Sequence, residues 1–386
     1  MEASIQLPGR GDIEGFWPGF WAMGNLGRPG YPATTDGLWP YSYWDKCDYG
    51  ITANQSAPDG LSLLPGMRLP ACTCANQDHP SAGISRSAPE IDALEASVGF
   101  MGPAQYDAAT GTASQSLQVA PFDIWYQPDY NYLEIYDSAQ TSMNAYRGGV
   151  YQEALSGVTW LNNNWYEAKG GFQTYGFEYT PGDQGKASWF VGNQYTWSMD
   201  YRALRPNGNI GQRVIPQEPM SIIANFGMSN SFAQVFLANL AQLMPATMRL
   251  DYIRIYQAEG SESVTCDPPG YPTTDYIKNH PEPYANPNLT LWYVTIYFHF
   301  HRVLTAATGL LHPTSGQQTH LSIAARLKHS HSLTFCILMV VTSTMGARCK
   351  ETWLLIQTLF SLLHDSFNSP VHRHQDSQHI VFLARQ

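Results

Sequence analysis

Apolar and polar positions alternate with a period of two in several short stretches of this chain. That period belongs to a β-strand, whose successive side chains point to opposite faces. The run MRLDYIRIYQ (248–257) sets outward polar residues between inward apolar ones, and FQTYGFEYTP (172–181) and ASWFVGN (187–193) also read as strands. GFWPGFWAMGN (15–25) and GLWPYSYWD (37–45) are aromatic segments punctuated by Gly and Pro. Gly, Asn, Asp and Pro clusters lie between such stretches, as tight connections require. No convincing long helix and no internal repeat is present. The expected fold class is all-β, a two-sheet sandwich.

One segment supports two exclusive readings. SRSAPEIDALEAS (85–97) crowds Glu90, Asp92 and Glu95 into six residues. By local propensity it is a helix start, with Ser87 as N-cap, Pro89 in the first turn and Glu90 completing a capping box. Acids there also suit the helix dipole. As a strand, Glu90 and Asp92 share a face, and Glu95 joins them only if a β-bulge adds one residue after Asp92. The two glutamate Cα atoms then lie about 13 Å apart at the usual strand rise. Side chains leaning together close that to the roughly 5–5.5 Å carboxylate separation of a retaining glycosidase. On a helix the same pair points about 140° apart and shares no substrate.

Composition narrows the partners. Charged residues are 13% of the 386 and aromatics another 13%, with 23 Tyr, 11 Trp, 32 Gly and 26 Pro. That balance suits a turn-rich β-protein with aromatic grooves better than a helical bundle. A net charge of −10, with no basic patch interleaved with aromatics, argues against nucleic acid. Trp and Tyr faces stack on pyranose rings, so a neutral sugar is the expected ligand class. No P-loop glycine motif supports a nucleotide-sugar site.

Six cysteines are present: Cys47, Cys72, Cys74 and Cys266 in the body, Cys336 and Cys349 beyond it. The C-x-C pair has no companion at zinc spacing, so no metal site is expected. No cofactor is expected either, and no spacing speaks for or against a structural calcium ion. Asn54 and Asn288 stand in glycosylation sequons. The opening residues MEASIQLPGRGD show neither a basic nor an apolar leader region, so no signal or anchor is expected within the chain as given.

The composition breaks near residue 292. Ten of the twelve histidines lie in 293–386, a stretch with 7 Lys+Arg against 3 Asp+Glu. That leaves 14 basic and 28 acidic residues of the whole-chain 21 and 31 for the body. The expected organisation is a sandwich over 1–292 and an atypical, unrelated tail over 293–386. The tail's histidines lack a regular ligand spacing.

The longer segments carry a family resemblance. GRGDIEGFWPGFWAMGNLGRPGYPATTDGLWPYSYWDKCDYGITANQS (9–56), LPGMRLPACTC (64–74) and SRSAPEIDALEAS closely resemble the fungal β-glucan synthesis-associated proteins. SQSLQVAPFDIWY (114–126), YQEALSGVTWLNNNWYE (151–167), FQTYGFEYTPG and MRLDYIRIYQ agree, so the resemblance covers roughly 2–292. It implies glycoside hydrolase family 16 and a concanavalin-like β-jelly roll, here N-terminally truncated of its first strands. It also selects the bulged strand, with Glu90 matching the nucleophile, Glu95 the general acid/base and Asp92 the residue between them. A role in β-1,6-glucan biosynthesis or remodelling of the fungal cell wall is implied, with β-glucan chains as partner. So is a type II membrane protein of the secretory pathway, whose anchor lies outside this chain.

Trp17, Trp21 and Trp160 are candidates to line a sugar groove, with core packing as the plain alternative, and the Tyr-rich run 126–136 is a candidate extension. Glu134, Glu178, His79 and His280 read as solvated or paired residues. Beside a retaining glycosidase or transglycosylase stand two other classes: a non-catalytic glucan-binding or scaffold protein, and a non-functional product of a misassembled gene.

Overall fold

The computed structural model describes residues 1–27, 75, 79–82, 86–99, 109–119, 126–148, 153–207, 211–286 and 380–382. The chain divides into two compact units, Met1–Tyr297 with Asp376–Gln386, and Phe298–Gln375. The second lies outside the described residues, as do Asn54, Asn288, Cys47, Cys72 and Cys74.

The first unit is a sandwich of two antiparallel sheets. One runs β12 (Arg249–Arg254), β1 (Glu2–Gln6), β8 (Gln173–Thr180), β9 (Lys186–Val191), β10 (Gln194–Asp200), β5 (Leu133–Ile135). The other runs β13 (Ile380–Phe382), β11 (Met220–Gly227), β2 (Trp17–Gly24), β3 (Glu90–Gly99), β4 (Thr110–Gln118), β7 (Ala154–Trp160), β6 (Thr141–Met143). Among the described residues three short helices follow β11: α1 (Leu237–Leu240), α2 (Thr274–Asn279) and α3 (Pro281–Ala285). Among the described residues no helix is long and apolar enough to cross a membrane.

Alternation builds the space between the sheets. On the seven-stranded side Phe20, Ala22, Ile91, Leu94, Ala96, Ala113, Leu117 and Leu155 point inward. Ala3, Ile5, Tyr175, Phe177, Trp189 and Trp197 meet them from the six-stranded side. Trp189 and Trp197 stack at 4.0 Å and 5°. Gly157 on β7 makes room for that stack, since a Cβ there would stand 2.3 Å from Trp197 Cδ1.

The choice between helix and strand falls to the strand, and one expectation changes. Residues 86–89 are not helical and lead directly into β3. The helix propensity of this segment is overridden by pairing on both sides, with β2 and β4. The alternation of β12 does not bury its apolar face: Leu250 and Ile253 are each 37% exposed on this edge strand. Finally, the Tyr-rich run passes through the turn Tyr130–Tyr132 and enters β5 of the six-stranded sheet.

Candidate active site

β3 lies inside the seven-stranded sheet and carries a bulge where the parity of its acids requires one. Against β2, Glu90 opposes Met23, Asp92 opposes Trp21, Leu94 opposes Phe20 and Glu95 opposes Gly19. Against β4, Asp92 opposes Ser116 and Glu95 opposes Ser114. Ala93 has no register partner on either neighbour. That one extra residue returns Glu95 to the face of Glu90 and Asp92 and leaves Ala93 and Leu94 to the core.

The face is polar and aromatic. Ser97, Thr112, Ser114, Ser116 and Ser156 are buried along it, with Ser97 Oγ 3.2 Å from Thr112 Oγ1 and Ser114 Oγ 3.2 Å from Ser116 Oγ. Trp17 Nε1 donates to Glu95 Oε1 at 3.1 Å, and its ring stacks on Phe232 at 4.5 Å. Trp21, across from Asp92, donates from Nε1 to Asn225 Oδ1 on β11 at 2.8 Å. Gly19 keeps the floor between them open: a Cβ there would lie 2.9 Å from Asn225 Oδ1.

The electrostatics follow from burial. Asp92 is 1% exposed, and neither of its carboxyl oxygens has a hydrogen-bond partner of good geometry. Burial first, and then the charges of Glu90 and Glu95, hold its pKa well above the carboxylate range. Glu90 is pushed up to about 8 by burial and the Glu95 charge, with the Asp92 side chain opposing. Glu95 is pushed up to about 7 by burial, with the Trp17 indole opposing. Charged carboxylates so close and so dry repel, and the cluster relieves this by holding protons. A proton on Asp92 supplies the donor that its oxygens lack and turns it into a hydrogen-bond partner for Glu90.

Five predicted residues therefore meet here: Glu90, Asp92, Glu95, Trp17 and Trp21. Trp160 lies on β7 beyond β4, opposite Thr112 and 7% exposed. Glu178 accepts from Tyr195 Oη at 2.7 Å, and His79 Nδ1 accepts from the Ser81 N–H at 2.9 Å. Cys266 is exposed. Sequence reading missed Asn225 and Phe232, which arrive from remote segments, and Gln115, a polar residue at a core parity of β4. The parity of Gln115 was a visible signal; the other two had none. Among the described residues no group of three His, Cys, Asp or Glu is placed to hold a metal ion.

An all-β sandwich with a buried carboxyl cluster on a bulged inner strand defines the class. The chain belongs to the family described as beta-glucan synthesis-associated protein SKN1/KRE6/Sbg1, whose profile matches residues 1–307. It is 53% identical over 294 residues to beta-glucan synthesis-associated protein SKN1 of Candida albicans, covering 75% of this chain and 38% of that one. It is 50% identical over 309 residues to SKN1 of Saccharomyces cerevisiae, covering 79% and 39%. Against KRE6 of the same yeast it is 51% identical over 296 residues, covering 76% and 40%. The chain thus spans about two-fifths of the length of the curated relatives it matches. No solved structure matches it. The family's description associates its members with β-glucan synthesis.

Proposed function

We propose that this chain carries a retaining glycosidase or transglycosylase site acting on β-glucan, of the family 16 glycoside hydrolase type. The observation that supports it is the β3 bulge, which puts Glu90, Asp92 and Glu95 on one face beside Trp17 and Trp21. A binding face has no need of three mutually repelling carboxyls, one of which, Glu95, requires an inserted residue to align.

The chemistry uses opposite protonation states in neighbouring acids. Part of the rise at Glu90 comes from a charged Glu95; with Glu95 protonated that repulsion is gone, and a proton held on Asp92 donates to Glu90 and favours its charged form. Glu95, pushed up to about 7, is protonated below that pH. Glu95 gives its proton to the glycosidic oxygen as the C1–O bond breaks, and a Glu90 oxygen bonds to C1. Glu95, now a carboxylate, takes a proton from water or a sugar hydroxyl, whose oxygen bonds to C1 and releases Glu90. Water gives hydrolysis and a glucan hydroxyl gives chain transfer. The Trp17–Phe232 stack beside Glu95 offers a flat apolar face for a pyranose ring.

The test incubates β-1,3- and β-1,6-gluco-oligosaccharides with the wild type and Glu90→Gln and reads products by mass spectrometry. Shorter or longer chains from wild type alone support the reading; two folded proteins that both leave the oligosaccharides unchanged overturn it.

A further inference from the structure

A bulge on an inner strand is a place where register can slip. A slip of one residue along β3 turns a carboxyl from the site face into the core. Ala93, the inserted residue, has no cross-strand partner to pin it. Its backbone is instead held from inside the sandwich. Gln115 Nε2 donates to Ala93 O at 2.9 Å and to Phe190 O, on the facing sheet, at 3.1 Å. Trp189 Nε1, also from the facing sheet, donates to Asp92 O at 2.9 Å.

These donors are themselves locked. Both side chains are 0% exposed. Gln115 Oε1 accepts from Thr196 Oγ1 at 2.6 Å, which also approaches Trp189 O at 3.1 Å. Trp197 Nε1 donates to Gln115 O at 3.2 Å, and the Trp189–Trp197 stack closes the group. A leucine or methionine would fill the Gln115 space with no hydrogen bonds to satisfy. A buried amide is tolerated there because its polar atoms find partners, and one of those partners is the bulge.

We propose that Gln115 and Trp189 are positioning residues: together they lock the β3 bulge at Asp92–Ala93 and so fix the spacing of the Glu90, Asp92 and Glu95 carboxyls. The geometry stands by itself, and only its use in glycosyl transfer rests on the function proposed above. Neither residue touches the site face. They act through the backbone of the strand whose side chains do the chemistry.

The test reads carboxyl geometry without asking for turnover. In the full chain labelled with ¹⁵N-tryptophan, the Trp17 indole resonance, assigned with Trp17→Phe, reports the titration of Glu95, its hydrogen-bond acceptor. Trp189→Phe removes the indole donor and keeps a ring in the stack; Gln115→Leu removes the amide at similar volume. Leu204→Ala, in the core on the short turn that follows β10, serves as the control for lost packing. In the wild type the Trp17 signal titrates with a midpoint near the Glu95 value of about 7. In both bulge variants the midpoint falls by about one unit or more, or the signal stops titrating, as the cluster loosens and hydrates. Leu204→Ala lowers the melting temperature and leaves the midpoint unmoved. Should Gln115→Leu fail to fold, Trp189→Phe decides alone. Bulge variants that melt lower yet titrate like wild type overturn the proposal, making these residues core packing only. The titration is read whether or not the wild type forms product, so failure of the proposed function shows separately. Where product does form, kcat falls about 10–100-fold with KM little changed, the pattern of misplaced reacting groups.

Discussion

At the residue scale, the three carboxyls differ in what surrounds them. Glu95 receives a hydrogen bond from Trp17, which favours its charged form and opposes the effect of burial. Trp17→Phe keeps a ring against Phe232 and removes only the donor, so the Glu95 pKa rises further. A group that works as the acid must be protonated, so the alkaline limb of the pH–rate profile moves up by about half a unit to one unit. A limb that stays in place, measured on the oligosaccharide that gives the most product, would show that Glu95 is not the acid. Glu90→Gln acts differently. It removes the nucleophile, so turnover drops by about 10³-fold or more, and with the neighbouring charge gone the alkaline limb of the residual activity moves down rather than up.

At the element scale, β3 shows what a sequence reveals and what it conceals. The parity of Glu90, Asp92 and Glu95 disclosed the bulge because strand alternation is local: one inserted residue was the only way to align all three. Local propensity pointed to a helix, and the sheet overrode it, because β2 and β4 pair the strand on both edges on either side of the bulge. What holds the bulge was not legible. Trp189 lies 97 residues from the carbonyl it caps, and Gln115 lies 22 from its own. Gln115 betrayed itself only as a polar residue at a core parity, and β12 misled because an edge strand need not bury its alternating face. The packing under the bulge gives a further prediction. Gly157→Ala would push a Cβ to 2.3 Å from Trp197 Cδ1, in a stack with no free space on its other side. Overpacking of this kind costs about 1–3 kcal/mol. Chemical denaturation of wild type and variant measures it, and an unchanged midpoint would mean that the stack shifts freely.

At the scale of the whole molecule, buried charge links stability to pH. Glu90, Asp92, Glu95 and Glu218 all have folded-state pKa values raised above the ordinary carboxylate range, with burial as the main cause. The folded state therefore binds more protons than the unfolded one between the two sets of values. Their contribution to stability is fully present below about pH 4 and is lost as pH rises toward about 8. Glu218 is the member of this set with a permanent countercharge. Arg86, 0% exposed, donates to both Glu218 oxygens at 2.9–3.2 Å, to Ser81 Oγ and to Pro272 O, while the Ser87 N–H donates to Glu218 as well. The pair thus ties the approach to β3, the approach to β11 and the segment after β12 into one knot. Arg86→Met strands the carboxyl with a single backbone donor, a change that costs about 3–5 kcal/mol. The stranded Glu218 has a still higher folded-state pKa, so the deficit is smallest in acid, where it is protonated, and grows as pH rises. Unfolding curves of Arg86→Met at pH 5 and pH 8 should differ by more than those of wild type. Adding Glu218→Gln removes the stranded charge and flattens the extra pH dependence. A deficit equal at both pH values would show that Arg86 stabilises the knot through its Ser81 and Pro272 bonds alone.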